Sequence, residues 1–76
     1  MNKNRRAQLN ELNEKINEVR DTLEQLRDEE QDYYDNMPEA FQGGEKGDKA
    51  QEAIDNMDDA LSSLEDAVNS IEEATR

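Results

Sequence analysis

The 76-residue sequence contains no cysteine, no histidine and no tryptophan, and only three aromatic residues, three glycines and one proline. The missing cysteine excludes disulfides and thiolate metal sites, and the missing histidine removes the commonest general base and transition-metal ligand. A chain this short buries little surface when it folds. We therefore expect its stability to depend on well-formed helices or on self-association.

Long apolar runs and a balance of charge are also missing. No run approaches the roughly 20 apolar residues that cross a bilayer, and the basic residues at the start lead into an amphipathic pattern rather than a signal-peptide core. Acidic residues outnumber basic ones by 21 to nine, which gives a net charge of −12. The sequence thus predicts a cytoplasmic protein whose direct partner is a basic protein, and not a nucleic acid or a membrane.

Apolar residues in the first half recur at intervals that alternate between three and four, which is the pattern of a coiled-coil helix. The composition alone, with few apolar and many charged residues, would also permit disorder, and this periodicity argues against it. Glu30 is the one polar residue in the seam. The seam residues are Leu9, Ile16 and Leu23 at heptad position a, and Leu12, Val19, Leu26 and Tyr33 at position d.

The second half has the same pattern and a wider apolar face. Its seam residues are Ile54, Leu61 and Val68 at position a, and Met57, Leu64 and Ile71 at position d. Position g holds alanine in four successive heptads. We call this set the alanine row: Ala53, Ala60, Ala67 and Ala74.

The segment between the two halves contains the only proline and all three glycines. Pro38 disfavours helical geometry in the preceding residue, so we expect the first helix to span about 6–36, and Pro38 can open one short turn that Gly43 ends. A loop is predicted over 37–48. Asp48 is the expected N-cap of a second helix over about 49–75, with Gln51 three residues later as in a capping box.

Two helices of about 42 Å joined by so short a segment should fold back on each other. We therefore predict a single all-α domain over 1–76, an antiparallel two-helix coiled-coil hairpin. Facing e positions should pair Arg27 with Asp58, Arg20 with Glu65 and Asn13 with Glu72. The seam should pair Leu23 with Leu64, Val19 with Val68 and Ile16 with Ile71. Both sets place the reversal at Gly43-Gly44.

A two-helix hairpin covers only one side of each helix. The alanine row leaves a shallow flank that another helix could approach closely, which predicts a homodimer of hairpins forming a four-helix bundle. The interface would contain Ala53, Ala60, Ala67 and Ala74. The alternative is that these alanines merely favour the helix.

No motif for catalysis, for a cofactor or for a metal is present. Gly43-Gly44 and Gly47 lack the lysine and hydroxyl residue of a phosphate-binding loop, and the serines of the second helix fall on outer positions without a base. The stretch 55–59 is acidic but has no calcium-loop glycine. We expect no catalytic residue, no cofactor and no metal site, and therefore no enzyme.

Carboxylates repeat every seven residues along positions e and f of the second helix. We call this set the acidic ridge: Asp58, Asp59, Glu65, Asp66, Glu72 and Glu73, extended by Glu52 and Asp55. One interpretation is a solvated helix face that also supplies partners for Arg20 and Arg27. The other is that the carboxylates imitate a row of phosphates and bind a basic protein.

All the aromatic residues cluster near the turn, in the set Tyr33, Tyr34, Met37 and Phe41. We expect this cluster to pack against Ala50, Ile54 and Met57 and to close that end of the bundle. Aromatic and methionine side chains are also typical binding anchors. If this end touches a partner, Tyr34 and Phe41 are the residues expected to do so.

The stretch Tyr33-Tyr34-Asp35-Asn36-Met37-Pro38-Glu39-Ala40-Phe41-Gln42-Gly43, followed by an acidic alanine-rich helix, resembles small acidic helical proteins of bacteriophages and bacterial mobile elements. The resemblance covers about half of the chain and supplies no catalytic or ligand residues. It implies a genomic context. Short acidic helical proteins in that context resemble host-takeover and anti-defence inhibitors, including anti-CRISPR proteins, many of which occlude a nucleic-acid-binding surface.

The sequence therefore favours a protein-binding module, a phage or mobile-element inhibitor that acts in the host cytoplasm. Its expected partner is a basic, nucleic-acid-handling defence protein, blocked in the manner of a DNA mimic. The expected contact residues are Asp55, Asp58, Asp59, Glu65, Asp66, Glu72, Glu73, Tyr34 and Phe41. The alternative is a self-associating coiled-coil structural or scaffolding protein.

Overall fold

The computed structural model describes all 76 residues and contains three α-helices and no strand. The helices are α1 over Lys3–Asp35, α2 over Glu39–Gln42 and α3 over Glu45–Ala74. The two long helices α1 and α3 pack along each other in a hairpin about 58 Å long and 15 Å wide. The all-α class and the packing of the first long helix against the second are confirmed.

The helix α1 begins three residues before the predicted start because Asn2 caps it. The Asn2 side chain accepts a hydrogen bond from the backbone N–H of Arg5 at 2.7 Å, which satisfies one of the free N–H groups of the first turn. The helix ends at Asp35, with Asn36 as its C-cap. Pro38 stops any continuation, since it restricts Met37 and has no N–H to donate.

The predicted loop over 37–48 is wrong in its second half. The short turn that Pro38 opens and Gly43 ends is present as α2, but α3 begins at Glu45 rather than at 49. Its N-cap is Gly44, not Asp48. The backbone N–H of Asp48 donates to the carbonyl of Gly44 at 3.0 Å, so Asp48 already lies in the first turn.

The turn is held by a close approach between α2 and the start of α3. Gly47 is buried, and a Cβ atom placed on it would lie 2.0 Å from the carbonyl oxygen of Gln42. The Gln42 side chain in turn donates to the carbonyl of Tyr34 at 2.9 Å. No glycine has a positive φ. At Gly47 the chain therefore needs the absence of a side chain, not an unusual backbone conformation.

The core is small and comes from α3. Only three apolar side chains are buried, and of these Ile54 is 1% exposed and Val68 is 6% exposed, with Ala50 at the turn end. The other seam residues of α3 are partly exposed. A hairpin with so few buried side chains gains little from the hydrophobic effect.

The helix α1 does not present the predicted face to α3. Its contact face consists of positions a and e, so Asn13 is buried and Arg20, Arg27 and Tyr34 are half-buried. The predicted position d residues point outward and are 45% to 56% exposed: Leu12, Val19, Leu26 and Tyr33. The predicted seam pair of Val19 with Val68 is therefore wrong. Relative to the prediction, α1 is rotated about its own axis by about one heptad row, or roughly 50°.

The direction and register of the hairpin follow from two polar contacts. The Arg27 guanidinium donates to the Asp58 carboxylate at 2.8 Å, which confirms that predicted pair. Asn13 does not pair with Glu72; its side-chain amide donates to the carbonyl of Val68 at 3.2 Å. Arg20 forms no ion pair with Glu65. Both contacts require α1 and α3 to be antiparallel, and they centre the reversal at about residues 40–43, in and just after α2, slightly before the predicted Gly43-Gly44 step.

Candidate protein-interaction surfaces

The acidic ridge lies along the outer face of α3. All of its predicted partner-binding carboxylates are exposed: Asp55, Asp58, Asp59, Glu65, Asp66, Glu72 and Glu73. Two of them are engaged within the chain, Asp58 by Arg27 and Glu73 by Arg76. The other five have no ion-pair partner. The ridge therefore presents a row of uncompensated negative charge on one helix.

Asp58 differs from the rest of the ridge because it forms an ion pair with Arg27 of α1. The hydrogen bond that Arg27 donates to the Asp58 carboxylate raises the pKa of the Arg27 guanidinium above its ordinary value, and the charges of Asp58 and Asp28 act in the same direction. The Arg27 guanidinium is charged throughout the physiological range with or without this shift, so the ion pair with Asp58 is present over that whole range. Asp58 therefore holds α3 to α1, and its negative charge is partly neutralised by Arg27, so it contributes less than its neighbours to the electrostatic field of the ridge.

The alanine row lies beside the hairpin seam on α3. Ala53, Ala60 and Ala67 are half-buried against the body of the hairpin, and Ala74 is exposed near the end of the helix. No side chain larger than a methyl group projects along this line. A second helix could therefore approach it closely.

The aromatic cluster is arranged differently from the prediction. Tyr34 is half-buried beside α3, and its carbonyl is bonded to Gln42. Tyr33 and Phe41 are instead the exposed aromatic residues, at 54% and 50%. The Lys46 ammonium lies 5.3 Å from the centroid of the Phe41 ring. The expectation of Phe41 as an accessible aromatic is compatible with this arrangement, and Tyr33 replaces Tyr34 as the second one.

One surface was not found by the sequence analysis. The four outward position d residues stand in one row along α1, about 10.5 Å apart, with the half-buried Ile16 and Leu23 beside the gaps between the first three. We call this row the α1 stripe: Leu12, Val19, Leu26 and Tyr33. A shallow groove runs beside its centre, lined by Glu18, Val19, Thr22, Leu23 and Leu26. The spacing of apolar residues at intervals of three and four does not predict this exposed row. A helix that packs against one neighbour and a helix that packs against two can have the same spacing.

Asn13 is a buried polar residue within the hairpin. It is 7% exposed, and its side-chain oxygen has no hydrogen-bond partner. A buried acceptor without a partner costs about 1 to 3 kcal/mol. Such a residue restricts the helices to the register that satisfies its other atom, and the amide of Asn13 does bond to Val68.

The serines and the acidic side chains of α3 can be located in the structure. Ser62, Ser63 and Ser70 are exposed on α3, and no group of three or more acidic, histidine or cysteine side chains is placed to hold a metal ion. None of the helices combines the length and the apolar character that crossing a membrane requires.

Comparisons with known proteins add no family to this description. No protein-family model, no curated protein and no solved structure matches the chain. The class that the fold defines is an acidic all-α helical hairpin.

Proposed function

We propose that the chain is a protein-binding module that inhibits a basic, nucleic-acid-handling protein. The acidic ridge contacts the basic surface of that protein and keeps nucleic acid away from it. In this proposal the chain is a phage or mobile-element inhibitor of the anti-CRISPR or other anti-defence type, acting in the host cytoplasm, and it performs no catalysis. The observation that carries the proposal is the row of exposed ridge carboxylates without ion-pair partners on a single helix.

The spacing of the ridge supports a comparison with a nucleic-acid strand. A heptad repeat places two carboxylates about every 10.5 Å along α3. One DNA strand carries a phosphate about every 3.4 Å, so the six carboxylates at positions e and f have roughly two thirds of the charge density of such a strand, and the four of them without an ion-pair partner have a little under half. A protein surface that binds a phosphate row with lysine and arginine would be attracted by a row of this density.

The proposal is tested by reversing charges on the ridge. In the triple variant Asp59→Lys, Asp66→Lys and Glu73→Lys, we expect loss of partners captured from a bacterial host lysate at about 50 mM salt. Wild-type protein should capture them and release them at about 500 mM salt. The captured partner should lose its binding to a labelled DNA or RNA duplex when wild-type chain is added.

The chain offers a matched control on the other long helix. Glu14, Asp21 and Asp35 are exposed on α1 at one heptad position and have no ion-pair partner, and changing all three to lysine alters the net charge by the same amount. This control should retain the partner. Equal loss in both variants, or partner capture that is unchanged by the ridge variant, would show that the ridge is not the contact surface.

A second candidate function is favoured by the α1 stripe. A self-associating structural or scaffolding protein would need an exposed apolar line of this kind, and dimerisation of the hairpin into a four-helix bundle would cover it. In that case the ridge would be a solvated face. The ridge variant would then keep its biological activity, whereas variants of the α1 stripe would lose it.

A further inference from the structure

The α1 stripe exposes four large side chains along one line of a hairpin whose own core contains only three buried apolar residues. Exposed apolar side chains that gather on one face of a small soluble protein mark a contact surface. We propose that a second copy of this chain covers the stripe, with the two α1 helices packed antiparallel about a twofold axis level with Thr22. This inference does not depend on the acidic ridge.

The charges of α1 favour a second copy in the antiparallel direction. Residues 1–20 contain five basic and three acidic side chains, whereas residues 21–36 contain one basic and seven acidic ones. A parallel pair would place the two acidic halves side by side. An antiparallel pair places each acidic half beside the basic half of the other copy, which lowers the repulsion between two chains of net charge −12.

The register follows from the row of side chains next to the stripe. Lys15 and Glu29 stand seven residues on either side of Thr22 in that row, and neither forms an ion pair within the hairpin. A twofold axis at Thr22 brings Lys15 opposite the partner's Glu29, and does so twice by symmetry. The same axis places Val19 opposite the partner's Leu26, and Leu12 opposite the partner's Tyr33. The whole stripe is then covered.

The alanine row on α3 is centred near the same height. Its midpoint lies between Ser63 and Leu64, and the midpoint of the α1 stripe lies between Thr22 and Leu23. The bond from Arg27 to Asp58 puts these two midpoints about one residue apart in height, and the bond from Asn13 to the carbonyl of Val68 puts them about five residues apart, so the offset is roughly 1.5 to 7.5 Å. One axis can therefore pair α1 with α1 and α3 with α3, and the small alanines let the second pair of helices approach closely.

Arg27 and Asp58, both at position e, meet on one flank of the hairpin, so position d of α1 and position g of α3 lie on the opposite flank. The face that carries both rows is large enough for a stable dimer. A standard interface buries about 800 Å² on each partner, and the hairpin is 58 Å long and 15 Å wide. The resulting structure is a four-helix bundle in which every adjacent pair of helices is antiparallel. The stripe, which is the largest uncovered apolar feature of the hairpin, becomes part of its core.

The first test introduces charge into the stripe. Val19→Glu and Leu26→Glu should each shift the chain from dimer to monomer in sedimentation equilibrium, with the dissociation constant raised at least tenfold and the helix content by circular dichroism retained. The matched control is Ser62→Glu, which adds the same charge at the same height on an exposed outer position of α3. That variant should remain dimeric. A wild-type chain that is monomeric at about 0.1 mM would overturn the proposal.

The second test examines the register. Lys15→Glu and Glu29→Lys should each weaken the dimer, because each places like charges opposite one another, and the double variant should restore it. A Thr22→Cys variant, in a chain that has no other cysteine, should form a covalent dimer with a short bis-maleimide cross-linker, and Ser62→Cys should not. A dimer in which the charge swap gives no rescue and Thr22→Cys does not cross-link would contradict this interface.

Discussion

Gly47 is the residue whose replacement the structure predicts to be most damaging. A Cβ atom there would lie 2.0 Å from the Gln42 carbonyl oxygen and 2.5 Å from the Gln42 carbonyl carbon, so the backbone of the turn would have to move. We expect Gly47→Ala to lower the free energy of unfolding by about 2 kcal/mol or more, measured by urea denaturation at fixed protein concentration.

Gly43 provides the control for that measurement. A Cβ atom on Gly43 would meet only the Glu39 carbonyl at 3.8 Å, an ordinary contact, and its φ of −83° suits any residue. Gly43→Ala should change stability by less than about 0.5 kcal/mol or raise it slightly. If the two variants were equally destabilised, the close approach at Gly47 would not be the cause.

Asn13 should limit the stability of the hairpin. Its buried side-chain oxygen has no partner, and leucine has a similar size without a polar atom to bury. We expect Asn13→Leu to raise the free energy of unfolding by about 1 kcal/mol, again by urea denaturation. Asn10→Leu, at an exposed position of the same helix, serves as the control and should have little effect. A loss of stability in Asn13→Leu would mean that the bond to Val68 outweighs the unpaired oxygen.

Of the two long helices, α3 is the one without a side-chain cap at its N-terminus, although Glu45 and Asp48 lie in its first turn. Its N-cap is Gly44, which has no side chain to accept a hydrogen bond, whereas Asn2 caps α1. A Cβ atom on Gly44 would be 3.4 Å from the nearest atom, the Ala40 carbonyl oxygen. Gly44→Ser should therefore stabilise the protein by about 0.5 to 1 kcal/mol, seen as a higher melting temperature. A lower melting temperature in Gly44→Ser would show that the backbone at this position requires glycine.

The two long helices and the reversal between them could be predicted from the sequence, because heptad spacing and the position of Pro38 are local signals. The rotation of α1 could not. With Asn13 and Arg27 facing α3, Asn13 bonds to the backbone carbonyl of Val68 and Arg27 bonds to the carboxylate of Asp58. In this rotation of α1, Val19 points outward. The spacing of leucine and valine along a helix does not indicate how many other helices pack against it. The start of α3 at Glu45 could not be predicted either, because it depends on the contact of Gly47 with Gln42. Taken alone, the glycine-rich sequence around these residues is typical of a loop.

The candidate surfaces were predictable to different degrees. The acidic ridge follows from the heptad positions of carboxylates on a helix, and its exposure could be anticipated from charge alone. The exchange of Tyr33 for Tyr34 at the turn end could not, since adjacent residues on a helix point about 100° apart and the rotation of α1 decides which one is covered. The α1 stripe has the same origin.

For the whole molecule, net charge sets the response to salt. A chain of charge −12 repels itself, so raising salt from about 50 mM to about 500 mM should raise its melting temperature and strengthen its self-association. Binding to a basic partner should weaken over the same range. The ridge variant with three lysines, which halves the net charge, should show a smaller rise in melting temperature. A melting temperature that falls with salt in the wild-type chain would mean that attractive ion pairs dominate its stability.

The measurement that tests the account most directly is the distance between the start of α1 and the end of α3. Spin labels on Glu14→Cys and Glu73→Cys, diluted with unlabelled chain so that only pairs within one molecule contribute, report this distance by pulsed electron resonance. The antiparallel hairpin predicts a single distance of about 20 to 30 Å, since packed helices lie about 10 Å apart. A distribution centred beyond about 60 Å, as expected for two helices that do not fold back, would contradict it.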